Sequence, residues 1–96
     1  MKVVTICGSM KFQKEMIEIC QKLELENKYC VIQCVYDLKN VTDKEKQILA
    51  EVHYKKIDIS DAIYVVNIGG HIGESCRKEI EYAKSKNKEI IYHENI

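Results

Sequence analysis

Four short apolar runs alternate along this chain with three segments of helical period, and that alternation leaves few folds open. The runs are residues 2–7 (KVVTIC), 29–36 (YCVIQCVY), 61–67 (DAIYVVN) and 88–93 (KEIIYH). They are short and rich in β-branched and aromatic residues, as strands are. Between the first two, Phe12, Met16, Ile19, Cys20 and Leu23 recur at helical spacing within residues 11–26. Thr42 with Glu45 three residues on reads as a capping box, which starts a second helix. Its apolar face would be Ile48, Leu49, Val52 and Ile59. A third helix over residues 75–86 carries the stripe Cys76, Ile80 and Ala83. The order is βαβαβαβ, which predicts an α/β fold with a parallel sheet and right-handed crossovers. With 96 residues and no proline, linker or repeat, the chain reads as one domain. We expect four parallel strands in the order 2-1-3-4, with helices on both faces. That order sets the loops after strands 1 and 3 side by side at the topological switch point, where open α/β sheets bind ligands.

The first of those loops is Gly8-Ser9-Met10-Lys11; the second spans residues 69–75 and includes Gly70, Gly73 and Ser75. Together with Arg77 they offer backbone N–H groups, two hydroxyls and two cations to a phosphate or carboxylate. The same glycines also fit plain turn geometry, and GGHIGES matches neither Walker A nor GxGxxG. Glu79 follows Ser75 by four residues, so both lie on one face near the loop. Periodicity alone reads Glu79 as a solvated glutamate. By the same reasoning His53 is a half-buried residue at the edge of an apolar face. Asp61 stops a helix and keeps a strand's start wet, and Tyr82 packs on the sheet. An ordinary i,i+4 ion pair is expected between Arg77 and Glu81.

Lysine plus arginine equals aspartate plus glutamate at 15 each. That balance gives no sustained basic surface for nucleic acid or for a membrane. No apolar run approaches the length of a transmembrane helix, and the first run is too short for a signal peptide. The expected setting is cytoplasmic. The five cysteines contain no CxxC pair. Cys30 and Cys34, four apart in an expected strand, would stand about 13 Å from each other, too far for a disulfide. Reduced, buried thiols are the expected state, with no metal site and no cofactor.

Three stretches, CGSMKF, SDAIYVVN and GESCRKEIEYA, together resemble the nucleoside 2-deoxyribosyltransferase-like family, in particular its nucleoside 5′-monophosphate N-glycosidase branch. The resemblance implies a flavodoxin-like Rossmannoid fold and a nucleoside or nucleotide substrate. It implies a glutamate nucleophile in the context Glu79-Ile80-Glu81-Tyr82-Ala83, with Glu74 as second choice. It places the 5′-phosphate on Gly8, Ser9 and Lys11, on Ser75, and on Arg77. The family's proton-donating aspartate lies upstream of strand 3; counted back from Asp61, that position holds His53. A histidine suits the task because it exchanges a proton near neutral pH. Asp61 itself is carried as a third catalytic candidate. Longer members have an extra carboxyl-terminal segment, while this chain ends at Ile96, so hydrolysis is expected rather than transfer. A homodimer is also expected. The alternatives are a non-catalytic nucleotide sensor on the same scaffold, deoxyribosyl transfer between bases, or an interaction domain without a pocket.

Overall fold

In a computed structural model describing residues 1–95, the first β-branched run becomes the central strand β1 (Val3–Gly8). A short 3-10 turn (Met10–Phe12) leads into α1 (Gln13–Asn27). Then follow β2 (Cys30–Ile32), α2 (Asp43–Asp58), β3 (Ala62–Val66), α3 (Glu74–Ser85) and β4 (Glu89–Tyr92). All pairings are parallel and the strand order is β2-β1-β3-β4. This is the expected α/β architecture.

Strand alternation distributes the core on both sides of the sheet. Ile6 and Val66 face Met16, Ile19, Cys20 and Leu23 of α1. Cys7, Ile63 and Val65 face Ile57 of α2 and Cys76, Ile80 and Ala83 of α3. So α1 covers one face while α2 and α3 cover the other. Full burial of each large aliphatic contributes about 1.5–3 kcal/mol. The helix ends follow local chemistry. Thr42 Oγ1 accepts from Glu45 N at 3.1 Å, and Thr42 N donates to Glu45 Oε1 at 3.0 Å. These bonds complete the capping box and lower the Glu45 pKa. Lys28, at φ 57°, closes α1 in the left-handed conformation.

Four expectations need correction. The second strand stops at Ile32 instead of Tyr36, and the chain then leaves the sheet. The inward face of α2 is Leu49, His53 and Ile57, while Ile48, Val52 and Ile59 remain 49%, 46% and 59% exposed. The face that meets the sheet runs 49, 53, 57; Ile48 and Val52 flank it and Ile59 lies past the helix end. In α3, Lys78 pairs with Glu74 at 3.8 Å, and among the described residues Arg77 and Glu81 form no ion pair. The cysteines are free, but Cys30 is exposed because β2 is an edge strand. No helix among the described residues is long and apolar enough to cross a membrane.

Candidate functional site

β1 runs on to Gly8, while its neighbour β2 leaves the sheet after Ile32. The departing segment has its backbone held by side chains instead of a ladder. Lys56 Nζ donates to the Gln33 carbonyl at 2.8 Å. Gln13 grips Asp37 twice, through Asp37 N to Gln13 Oε1 at 2.8 Å and Gln13 Nε2 to Asp37 Oδ1 at 2.7 Å. The divergence opens a cavity of about 450 Å³ at the carboxyl end of β1. That is the size of a small-molecule site. Cys34, Val35 and Leu38 form one wall, α2 a second, and the start of α3 a third.

Glu79 and His53 meet in this cavity. Glu79, in the second turn of α3, keeps only 18% of its side chain exposed. Its Oε1 lies 3.4 Å from His53 Nε2. The same Nε2 lies 3.5 Å from Cys7 Sγ. Cys7 is the last residue of β1 whose side chain faces α2 and α3, and it is 1% exposed. Burial, and then the Glu79 carboxylate, push its thiol well above the ordinary 9.0. Cys7 is therefore held neutral, which disqualifies it as a thiolate nucleophile. Nor is this a relay triad, in which the two ring nitrogens serve different partners. Here the thiol and the carboxylate both face Nε2.

Gly8, Ser9, Gly73, Glu74 and Ser75 also line the cavity, so the two expected loops do converge. Ser9 caps the 3-10 turn, its Oγ accepting from Lys11 N at 3.4 Å. The amino terminus of α3 has no side-chain cap, and its N–H groups sit where an anion would be favoured. Gly8 has a second reason to be glycine. A Cβ there would come within 3.0 Å of Met16 Sδ and 3.2 Å of Val66 Cβ. Gly8→Ala should therefore cost about 1–3 kcal/mol by overpacking. Urea denaturation checks this; an unchanged midpoint would show that Met16 gives way freely.

Four expected site residues lie elsewhere. The Lys11 ammonium rests over the Phe12 ring at 5.1 Å, outside the cavity lining. Arg77 is exposed because its position on α3 points away from the sheet. Gly70 has φ +80° and belongs to a separate hollow near Asn67 and Glu94. Its conformation answers to turn geometry. Asp61 sits at the opposite end of the sheet, where its Oδ2 accepts from Val3 N at 2.8 Å. It caps the start of β1 and takes no part in the cavity. Nearby Asp58 accepts from the Tyr82 hydroxyl at 2.6 Å, which leaves Tyr82 a packing role against Tyr54.

Among the lining residues that sequence did not single out as site residues are Cys7, Lys46 and Lys56. Cys7 looked like a core hydrophobe. Lys46 and Lys56 form one stripe along α2 with Leu49, Ala50 and His53. Their spacing of 3, 4, 7 and 10 from Lys46 is the signal that could have found them. Comparison with protein-family models, with curated proteins and with solved structures finds no match.

Proposed function

We propose that this chain hydrolyses the N-glycosidic bond of a nucleoside 5′-monophosphate or nucleoside, with Glu79 as nucleophile. One observation carries the reading: a nearly buried carboxylate opens into a cavity it shares with Ser9, Ser75 and the amino terminus of α3. Glu74 is the weaker candidate, being 87% exposed at its side chain and drawn to Lys78. The family resemblance of the GESCRKEIEYA stretch points to the same glutamate.

In this reading the phosphate rests on the N–H groups of α3 and on the Ser9 and Ser75 hydroxyls. Lys46 and Lys56 line the cavity in place of Lys11 and Arg77. The Glu79 carboxylate attacks C1′ as the C1′–N bond breaks, giving a glycosyl ester and a leaving base. His53 gives that base a proton. Water then cleaves the ester, returns its proton to His53 and frees Glu79. The residual exposure of Glu79 lets water reach the ester, which favours hydrolysis over transfer to a second base. A panel of ribo- and deoxynucleoside monophosphates assayed for free base tests the reading. Added second base should yield no exchanged nucleoside. Thermal stabilisation by a nucleotide without base release would favour the sensor reading, which the histidine in place of the family's aspartate supports.

The proposal includes a homodimer. Val35, Leu38 and Val52 are each more than 40% exposed at the cavity rim, and Ile48 follows on the same face of α2. Pairing would cover them. Light scattering should find two chains, and Ile48→Glu should give monomers with an unchanged circular dichroism spectrum. A monomeric parent chain would remove this part. The proposed setting is cytoplasmic, where five free thiols stay reduced.

A further inference from the structure

Cys7, His53 and Glu79 bring a thiol, an imidazole and a carboxylate together in the cavity. The thiol and the carboxylate lie 3.5 and 3.4 Å from His53 Nε2, and the thiol is also within hydrogen-bond reach of the Glu79 carboxylate. The three donor atoms all fall within 4.8 Å of one another. Among the described residues, no lysine or arginine nitrogen lies within 4 Å of the Glu79 carboxylate.

The two separations from His53 Nε2 match those of a tetrahedral ion. With metal–sulfur bonds of about 2.3 Å and metal–nitrogen or metal–oxygen bonds of about 2.0–2.2 Å, S···N spans about 3.6 Å and N···O about 3.4 Å. An ion at the common point would engage all three donors at once. The set of one thiolate, one imidazole and one carboxylate is borderline-soft, the kind that selects zinc over magnesium or calcium. The donors come from three separate elements, the end of β1, the middle of α2 and the second turn of α3. The core packing of those elements fixes them relative to one another. All three also line the cavity, which gives a further ligand a route to an ion held there.

We propose that Cys7, His53 and Glu79 form a three-ligand site for a zinc-class divalent ion, with its fourth position open to the cavity. Binding forms a metal–sulfur bond and releases the Cys7 thiol proton to solvent. The inference stands on donor geometry and goes beyond the glycosidase reading. An ion held there would occupy Glu79 and withhold it from C1′.

Cobalt(II) titration of the whole chain tests the site. One equivalent should bind with a thiolate-to-cobalt charge-transfer band, and zinc should displace it. Cys7→Ser should abolish the band. Glu79→Gln and His53→Gln should each weaken binding by at least about tenfold, the low end of what losing a mere outer-shell partner costs. The Glu79 variant keeps the measurement meaningful should Cys7→Ser fold poorly, since Glu79 is outside the core. Cys30→Ser and Cys34→Ser should leave stoichiometry and band unchanged. Absence of a band, or a band lost with Cys30 or Cys34 and kept in Glu79→Gln and His53→Gln, would overturn the site. A chain that binds cobalt in this way and releases no base keeps the metal site and counts against the glycosidase. Base release without cobalt binding does the reverse.

Discussion

Glu79→Gln should lower kcat for base release by about 10⁴-fold or more, the scale on which loss of a covalent nucleophile is felt. The substitution exchanges one carboxylate oxygen for an amide nitrogen and keeps the shape. His53 then faces a neutral group at the same 3.4 Å, and the packing of α3 on the sheet is untouched. Nucleotide binding should survive, because the proposed phosphate contacts are to Ser9, Ser75 and the amino terminus of α3, which line the cavity apart from the Glu79 carboxylate. The expected signature is a collapse of kcat with little change in KM. His53→Gln should cost less, about 10²–10⁴-fold, since it removes proton transfer and not the covalent step. That loss should shrink for substrates whose base leaves without protonation. Glu74→Gln and Asp61→Asn serve as controls and should stay within a few-fold of the parent in kcat. Release that persists in Glu79→Gln at the parental rate would remove Glu79 from the mechanism.

The strand order was legible because it rests on element type and loop length. Four β-branched runs with helical segments between them admit few parallel arrangements, and the capping box at Thr42 dated the start of α2 to the residue. The early end of β2 was not legible. Cys34, Val35 and Tyr36 are apolar in sequence because they line the cavity or pack near α1, and apolarity alone does not separate that from a strand. The same blindness hid Cys7. A thiol at the end of a buried strand looks identical whether its partner is an isoleucine or a histidine from another helix.

Charge was the other gap. Lys11 and Arg77 were adjacent to the loops in sequence, but the 3-10 turn lays Lys11 on Phe12 and the twist of α3 turns Arg77 outward. Lys46, distant in sequence, reaches the cavity because α2 runs along it. Asp61 illustrates the opposite error. Carried as a third catalytic candidate, it instead satisfies the first N–H of β1 across the sheet. Glu79 emerged in sequence only through the family context, since periodicity alone left it on the surface. The fold brings it beside His53, which the register count had placed as its partner.

From about pH 9 to about pH 11 the chain should lose most of its stability, because three thiols are buried in the core. Cys7, Cys20 and Cys76 are each 3% exposed or less. In the unfolded chain they ionise near the ordinary 9.0, whereas burial raises Cys20 to about 11 and Cys76 to about 12. Cys7 is pushed well above 9.0 by burial and by Glu79. Above about pH 9 the unfolded state therefore holds fewer protons than the native state. The slope of stability with pH is 2.303RT times the unfolded-minus-native proton count, so it is negative there. The contribution is complete below the unfolded value and is lost as pH climbs toward the folded ones. Each retained proton is worth about 1.4 kcal/mol per pH unit, so three give about 4 kcal/mol per unit at most. Two units remove up to about 8 kcal/mol, a large share of a typical total of about 5–15 kcal/mol. Tyr36, raised by burial beside Cys34 and Cys20, acts in the same direction. Urea midpoints taken at several pH values between about 8 and 11 measure the slope. Cys76→Ala should reduce it by about 1.4 kcal/mol per unit, and adding Cys20→Ala should reduce it again. A profile that stays flat across that range would mean that the thiols are hydrated in the native state and that the core drawn around β1 and β3 is too tight.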